Sequence, residues 1–249
     1  MGLHMKEQSG AVGAIIVAAG KGSRMGLGYN KLLAEICGKP VIEWTVRNFA
    51  ESGLIDRIVL VVNSDEKDVF RSIAEHYTGM VNIILAEGGT TRQDSVYNGL
   101  KALGDSVEVV LVHDGARPFA DKAMIWRSIE YARKFGAACA GMPVKETIKK
   151  VSSDNFVIET PERSGLWCAQ TPQAFKTGVI VKAYEEAYRR GLTGTDDASL
   201  AEAAGFNVVM FEGSYNNLKL TSPEDLILAE QLLRKEFNAG RYPGDKNKH

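Results

Sequence analysis

Apolar and polar positions along this chain fall into two alternating kinds of segment. Short, mostly β-branched apolar runs occur at residues 14–17, 57–62, 81–85, 107–112 and 138–144. Between them, apolar residues recur at helical spacing: Ile42, Val46 and Phe49 after Pro40, then Val69, Ile73 and Tyr77, then Ile125, Ile129 and Ala132. Near-continuous apolar strands separated by helices predict an α/β fold with a mostly parallel sheet covered by helices on both faces. The alternation stops after Val144. Residues 145–171 are polar and β-rich without a helical period, which predicts an extended hairpin, a β-arm standing off the sheet. Helices resume at 178–190 and 197–204, and a strand follows at 208–212. The last helix is well signalled: Ser222 as cap, Pro223 in the first turn, Glu224 and Asp225 at the positive end of the dipole, then an apolar stripe from Leu226 to Leu233. No repeat or linker divides the chain. The pattern predicts one domain over residues 11–236, with the arm at about 145–171 and disordered tails at 1–10 and 237–249.

Composition narrows the classes. A chain of 249 residues, 45% hydrophobic, is long enough to bury a substantial core. Its 30 basic and 31 acidic residues leave a net charge of -1, which gives no electrostatic case for nucleic acid or a membrane surface. Cys37, Cys139 and Cys168 are far apart and form no CxxC or Cys/His cluster, so neither a disulfide framework nor a zinc site is indicated. No apolar run reaches the ~18 residues of a membrane span, and the polar start "MGLHMKEQSG" has no signal-peptide core. A soluble protein of a reducing compartment, the cytoplasm, is expected.

Candidate chemistry gathers at strand ends. "IIVAAGKGSRMGLGYNK" (15–31) leads from the first strand into a glycine- and cation-rich turn. Glycine lets backbone N–H groups approach an anion closely. The spacing excludes the two common phosphate loops: Met25 stands where a dinucleotide fingerprint needs its last glycine, and no Gly-Lys-Ser/Thr completes a Walker loop. "GGTTRQDS" (88–95) follows the third strand and "HDGARP" (113–118) the fourth. In an open α/β sheet, ligands collect at the carboxyl ends of strands near the switch in strand order. Arg24, Lys31 and Arg117 are then placed to take phosphates, and Asp114 to take a divalent metal. Mg²⁺ is commonly held by one or two carboxylates plus substrate phosphates. The combination points to a nucleoside triphosphate site. His113 alternates with Asp114 in its strand and is expected to pack on the opposite face. Asp196 and Asp197 read as a metal pair or, more simply, as the start of a helix after Thr195. No cysteine has a base partner in sequence, so no thiol nucleophile is expected.

Six segments, "VAAGKGSRMG…NK", "GGTTRQDSV", "VLVHDGARPF", "LWCAQTPQAF", "TDDASLAE" and "NLKLTSPEDL", together resemble the 2-C-methyl-D-erythritol 4-phosphate cytidylyltransferase family, in the same order and over residues 14–235. The resemblance implies a Rossmann-like, glycosyltransferase-A-like nucleotidyltransferase fold. It implies transfer of a cytidylyl group from CTP to the sugar-alcohol phosphate, with release of pyrophosphate. On the family's motifs, Arg24, Lys31 and Lys219 match catalytic positions, and Gly20 and Gly22 match backbone contacts to phosphates. Ala18, Ala19, Gly89, Ser95 and Arg117 match nucleotide-binding positions, of which Ala18, Gly89 and Ser95 read the cytosine edge. Asp114 matches the Mg²⁺ ligand, and Thr147, Arg163, Thr171, Thr195 and Lys219 match positions that hold the acceptor. The arm, in the family, reaches across to a second subunit, which implies a homodimer.

Without the resemblance, Thr147 and Thr171 read as ordinary strand threonines, Arg163 as a surface charge and Lys219 as a strand-edge cation. Val17, Asn30, Leu32 and Thr90 stand where the family often has Pro, Pro, Gln and an acid; none removes a charge that the reaction needs. The nearest alternative acceptor is ribitol 5-phosphate. Its cytidylyltransferases typically carry Leu-Ala-Gly-Gly and Asp-Ala-Val-Arg-Pro, against Val-Ala-Ala-Gly and Asp-Gly-Ala-Arg-Pro here. An α/β oxidoreductase is disfavoured by Met25, and a non-catalytic nucleotide-binding regulator by the joint presence of Arg24, Lys31 and Asp114.

Overall fold

Residues 10–20 and 30–242 are described in the structure, a computed structural model. Among them the strands in chain order are β1 (Val12–Val17), β2 (Glu35–Ile36), β3 (Lys39–Pro40), β4 (Arg57–Val62), β5 (Asn82–Glu87), β6 (Val109–Asp114), β7 (Ala137–Pro143), β8 (Lys150–Val151), β9 (Val157–Glu159), β10 (Trp167–Lys176) and β11 (Val209–Glu212). The helices are α1 (Val41–Glu51), α2 (Lys67–Glu75), α3 (Arg92–Leu103), α4 (Lys122–Phe135), α5 (Thr177–Arg190), α6 (Asp197–Ala203) and α7 (Pro223–Asn238). The central sheet has the order β11-β7-β10-β6-β1-β4-β5. All of its strands run parallel except β10, which is antiparallel to both β6 and β7.

Burial on both faces explains the continuous apolar runs. From β1, Ile16 turns to one side with Leu60 and Leu111, under α1, α2, α4 and α7. Its neighbour Ile15 turns to the other with Val59, Val61, Val110 and Val112, under α3, α5 and α6. Alternate residues of one strand thus feed two separate cores. Fully burying one such side chain stabilises the fold by about 1.5–3 kcal/mol.

The structure departs from the sequence expectations in four places. In α2 the buried residues are Phe70, Ile73 and Ala74, while Val69, expected on the stripe, is 49% exposed. Helix α3 is not signalled by the apolar pattern; a capping box between Thr91 and Asp94 starts it directly after the Gly88–Gly89 turn. The arm is shorter than residues 145–171, because Trp167–Lys176 is a strand of the main sheet, and the separate hairpin is β8 with β9. Residues 237–242 do not belong to a tail, and the rest of the two expected tails, 1–9 and 243–249, lies outside the described residues. Phe237 and Tyr242 are buried, and the Tyr242 ring packs on Trp44 at 5.2 Å and on Phe237 at 5.7 Å. Its hydroxyl donates to Asn48 Oδ1 at 2.9 Å.

Candidate active site

The order β5-β4-β1-β6 makes the connections leave β1 in one direction and β6 in the other. The crevice this opens lies at their carboxyl ends, where Val17 is paired with Asp114. A cleft of ≈ 650 Å³ occupies that edge. Its wall comes from the turn after β1 (Ala19, Gly20), the turn after β5 with the start of α3 (Gly88 to Arg92, Ser95), the end of β6 (Asp114 to Ala116), and Lys31 and Lys219.

The β5–α3 turn is shaped by backbone closeness. A Cβ on Gly88 would lie 2.3 Å from Ala19 Cβ, and one on Gly89 2.2 Å from Asp94 Cβ, so only glycine lets these segments meet. Ser95 Oγ donates to the Thr91 carbonyl at 2.9 Å and accepts from Gly89 N–H at 3.0 Å. Asp94 accepts from Thr90, Thr91 and the Tyr188 hydroxyl. The Tyr188 bond first, then those from Thr90 and Thr91, lower the Asp94 carboxyl to about 2.

Lys31 enters from the loop after β1, in a short 3-10 turn capped by Asn30. Its Nζ donates to the Leu220 carbonyl at 2.8 Å, which puts it beside the loop that carries Lys219. Lys219 Nζ lies 2.8 Å from Asp114 Oδ2, Arg117 Nε 3.8 Å from the same oxygen, and Arg92 Nε 3.1 Å from Oδ1. Burial opposes ionisation of Asp114, but Arg92, Lys219 and Arg117 outweigh it and hold the carboxyl well below the usual range.

Beneath Asp114, the floor is a hydrogen-bond chain. Asp114 N–H donates to Thr171 Oγ1 at 3.0 Å, Thr171 Oγ1 lies 3.0 Å from His113 Nδ1, and His113 Nε2 lies 3.0 Å from the Arg117 carbonyl. A carbonyl only accepts, so Nε2 carries the ring proton and the Thr171 hydroxyl donates to Nδ1. Burial lowers the imidazole to about 4, so His113 stays neutral and serves as a packed strut against Phe49, 4.8 Å away between rings.

The sequence-predicted residues divide by place. Ala19, Gly20, Lys31, Gly89, Ser95, Asp114 and Lys219 line the cleft together. Ala18 is buried, its N–H donating to the Val61 carbonyl and its own carbonyl accepting from Asn30 Nδ2. Arg117 lies below the wall, with Nη1 donating to the Asn217 carbonyl at 2.7 Å. Thr171 is in the floor. Thr147, Arg163 and Thr195 are exposed outside the cleft, and Arg163 donates to the Lys145 carbonyl at the base of the arm. Arg24 and Gly22 lie outside the described residues. Among those described, no cluster of three or more metal-binding side chains occurs. Asp196 caps α6 through Ser199 N–H at 2.8 Å, as the helix-start reading holds. No disulfide joins Cys37, Cys139 and Cys168.

Four contributors were missed by the sequence reading: Arg92, Gln170, Gln173 and Asn217. Gln170 Nε2 donates to the Ser214 carbonyl, Gln173 Nε2 to Asp196 Oδ2, and Asn217 Nδ2 to the Thr171 carbonyl. These bonds tie the middle of β10 to the loops carrying Lys219 and Thr195. A signal for Arg92 did exist. A cation in the first turn of a helix opposes the dipole, so its presence there implies acidic partners.

The comparisons with known proteins agree with the geometry. The family model for 2-C-methyl-D-erythritol 4-phosphate cytidylyltransferase matches residues 12–235. A relative of that name from Clostridioides difficile (strain 630) is 49% identical over 222 residues, covering 89% of this chain and 93% of the relative. The crystal structure of 4-diphosphocytidyl-2C-methyl-D-erythritol synthase from Anaerococcus prevotii superposes with a TM-score of 0.81 at 36% identity, covering 90% of this chain and 99% of that one. The 2-C-methyl-D-erythritol 4-phosphate cytidylyltransferase of Thermus thermophilus gives 0.72 at 32% identity, covering 91% and 99%.

Proposed function

The chain belongs to the 2-C-methyl-D-erythritol 4-phosphate cytidylyltransferase family, and from that premise we propose how its residues share the reaction. It is a nucleotidyltransferase of the non-mevalonate isoprenoid route, joining a cytidylyl group to 2-C-methyl-D-erythritol 4-phosphate. CTP lies in the cleft with its base toward the Gly88–Ser95 turn and its phosphates toward Lys31 and Lys219. A phosphate oxygen of the acceptor attacks the α-phosphorus, the bond from that phosphorus to the bridging oxygen breaks, and pyrophosphate leaves with the bonding electrons. No side-chain nucleophile takes part. Catalysis is alignment plus stabilisation of charge on the phosphoryl oxygens. Lys31 and Arg24 meet that charge, and the polar backbone of the Gly88–Ser95 turn reads the cytosine edge, where a purine would leave polar groups unpaired.

The donor set suits a hard dication. Asp114 offers an ionised oxygen at the cleft floor, where a cationic Nζ already sits 2.8 Å away. Asp114 would hold Mg²⁺, which supplies charge neutralisation to the phosphates when bound.

The acceptor site is completed by the arm. On it, Phe156 is 76% exposed, and Val151, Val157 and Ile158 are also exposed. A two-stranded hairpin with uncovered apolar side chains is marginal alone, which supports a homodimer through the arm, with Arg163 and Thr147 serving the acceptor phosphate beside Thr195. No described helix is long and apolar enough to cross a membrane. A nucleotide-using protein with three unbridged cysteines fits the cytoplasm.

The observation that carries this reading is the convergence of Lys31, Lys219 and Asp114 on one cleft at the β1/β6 switch. Pyrophosphate release with CTP and Mg²⁺ over a panel of sugar-alcohol phosphates tests it. The methylerythritol phosphate should be the preferred acceptor; equal or better turnover of ribitol 5-phosphate would overturn the assignment of substrate.

A further inference from the structure

The two carboxylate oxygens of Asp114 have different surroundings. Oδ1 accepts from Arg92 Nε at 3.1 Å, and the same guanidinium reaches with Nη2 to Asp197 Oδ2 at 2.8 Å. Asp197 is fully buried, and its Oδ1 accepts from the Tyr184 hydroxyl at 2.5 Å. Arg92 is thus stretched between a carboxylate at the end of β6 and one at the start of α6, and is rooted in the first turn of α3. It cannot leave Asp114 without loosening the partner of a buried charge, which is strongly unfavourable. Oδ2 instead faces Lys219 Nζ at 2.8 Å. That side chain is 38% exposed, lines the cleft and carries its charge on a flexible four-carbon stem. The Asp114 end of the pair is buried, at 11% exposure, so its carboxylate must stay paired; a divalent ion that takes the place of the ammonium on Oδ2 keeps it paired while the lysine head moves out into the cleft.

We infer that Asp114 has a fixed oxygen and an exchangeable one: Arg92 is a positioning residue that holds Oδ1 through its second anchor on Asp197, and Lys219 is the resident cation on Oδ2, displaced by a divalent ion that arrives with the nucleotide. The inference rests on the reading of Asp114 as the metal ligand. Its consequence is a charge exchange. The ammonium released from Oδ2 is then beside the triphosphate, so one motion opens the metal position and delivers a cation to the phosphates. Arg92 keeps the carboxylate aimed while this happens.

Nucleotide-free binding of Mn²⁺, followed by the electron paramagnetic resonance signal of the unbound ion, separates positioning from charge alone. Both Arg92 and Lys219 are cations beside one carboxylate, so charge alone predicts that neutralising either tightens Mn²⁺ at Asp114. The inference predicts opposite signs. Lys219→Met should bind Mn²⁺ about tenfold or more tighter than wild type, and adding Asp114→Asn should erase the gain. In the Lys219→Met background, Arg92→Met should weaken Mn²⁺ binding by about 10–100-fold. Arg92→Met strands Asp197, so Arg92→Lys, which keeps the charge but not the fork, and Arg92→Met with Asp197→Asn are measured beside it, each with its circular dichroism spectrum; both should also bind more weakly. No gain in Lys219→Met would overturn the exchange, and equal or tighter binding in the folded Arg92 variants would overturn the positioning. Affinity for the Mn²⁺–CTP complex keeps the two readings apart. If Asp114→Asn binds that complex as wild type does, Asp114 is not the metal ligand; if it binds more weakly while Lys219→Met shows no gain, only the inference falls.

Discussion

Lys31 reaches the cleft with its ammonium already tethered to the Leu220 carbonyl, so its position is set before substrate arrives. A cation held in place costs little reorganisation when charge develops, and its value belongs mainly to the transition state. Lys31→Ala, and equally Arg24→Ala, should lower kcat by about 10²–10³ with a much smaller change in CTP binding. Steady-state kinetics decide this: a tenfold rise in KM at unchanged kcat would reduce both residues to ground-state binding. A second single-residue effect is on stability. Asp94 sits at the third position of the α3 capping box, and its carboxyl is lowered from 3.8 to about 2 by Tyr188, Thr90 and Thr91. A depressed carboxylate stabilises the fold above its unfolded pKa and loses that contribution as pH falls through the folded value. The carboxylate is largely solvent-exposed, and screening trims the effect, so Asp94→Asn should cost about 0.5 kcal/mol at neutral pH, and its gap from wild type should close between pH 3.8 and about 2. Urea midpoints across that range measure the gap, and a gap that stays constant with pH would show that the charge is not what stabilises.

Among the elements, those legible in the sequence are the ones whose burial is apolar. β1, β4 and β6 are buried by Ile, Val and Leu, and a run of such residues announces itself. β10 does not read as a sheet strand because its buried centre is Gln170, Thr171, Pro172 and Gln173. Those polar groups are tolerable only because Ser214, Asp114, Asp196 and Asn217 satisfy them across the fold, and no local pattern shows such partners. Helix α3 is hidden for a related reason, since its first turn is the polar wall of the cleft. The site is legible to the extent that strand ends carry glycine and charge; Arg92 is not, because its partners lie 22 and 105 residues away. The end of α7 shows the opposite error, in which polar composition conceals a packed segment. Tyr242 fills a pocket of Trp44 and Phe237 and lies under the Arg47 guanidinium, 4.8 Å from the ring. Tyr242→Ala should destabilise by about 3 kcal/mol, and Tyr242→Phe by about 1 kcal/mol through the lost bond to Asn48. Chemical denaturation at constant m-value reads both; a wild-type midpoint in Tyr242→Ala would mean that this segment adds nothing to the core.

For the whole molecule, the question is whether one chain makes a complete acceptor site. The cleft gathers Lys31, Gly89, Ser95, Asp114 and Lys219, whereas Arg163 and Thr147 sit on the exposed arm. Arg163 turns its guanidinium to the Lys145 carbonyl of its own chain, and Lys145 in turn lies over the Tyr215 ring at 3.4 Å. The arm's base is therefore fixed to the body near the Lys219 loop, while its apolar tip is uncovered. Arms exchanged about a two-fold axis would cover both tips in a self-complementary interface and carry each Arg163 to the partner's acceptor phosphate. Loss of Arg163 should then weaken acceptor binding and leave CTP binding intact. Mixing two inactive variants, Arg163→Ala and Lys31→Ala, under conditions where subunits exchange, tests the geometry directly. In a mixed dimer, the site that keeps Lys31 receives the intact arm of the other subunit, and the opposite site lacks both. Random pairing makes half of the dimers mixed, each with one working site of two, so activity should return to about a quarter of wild type. Were exchange confirmed by mass and no activity to return, Arg163 would act within its own chain or not at all.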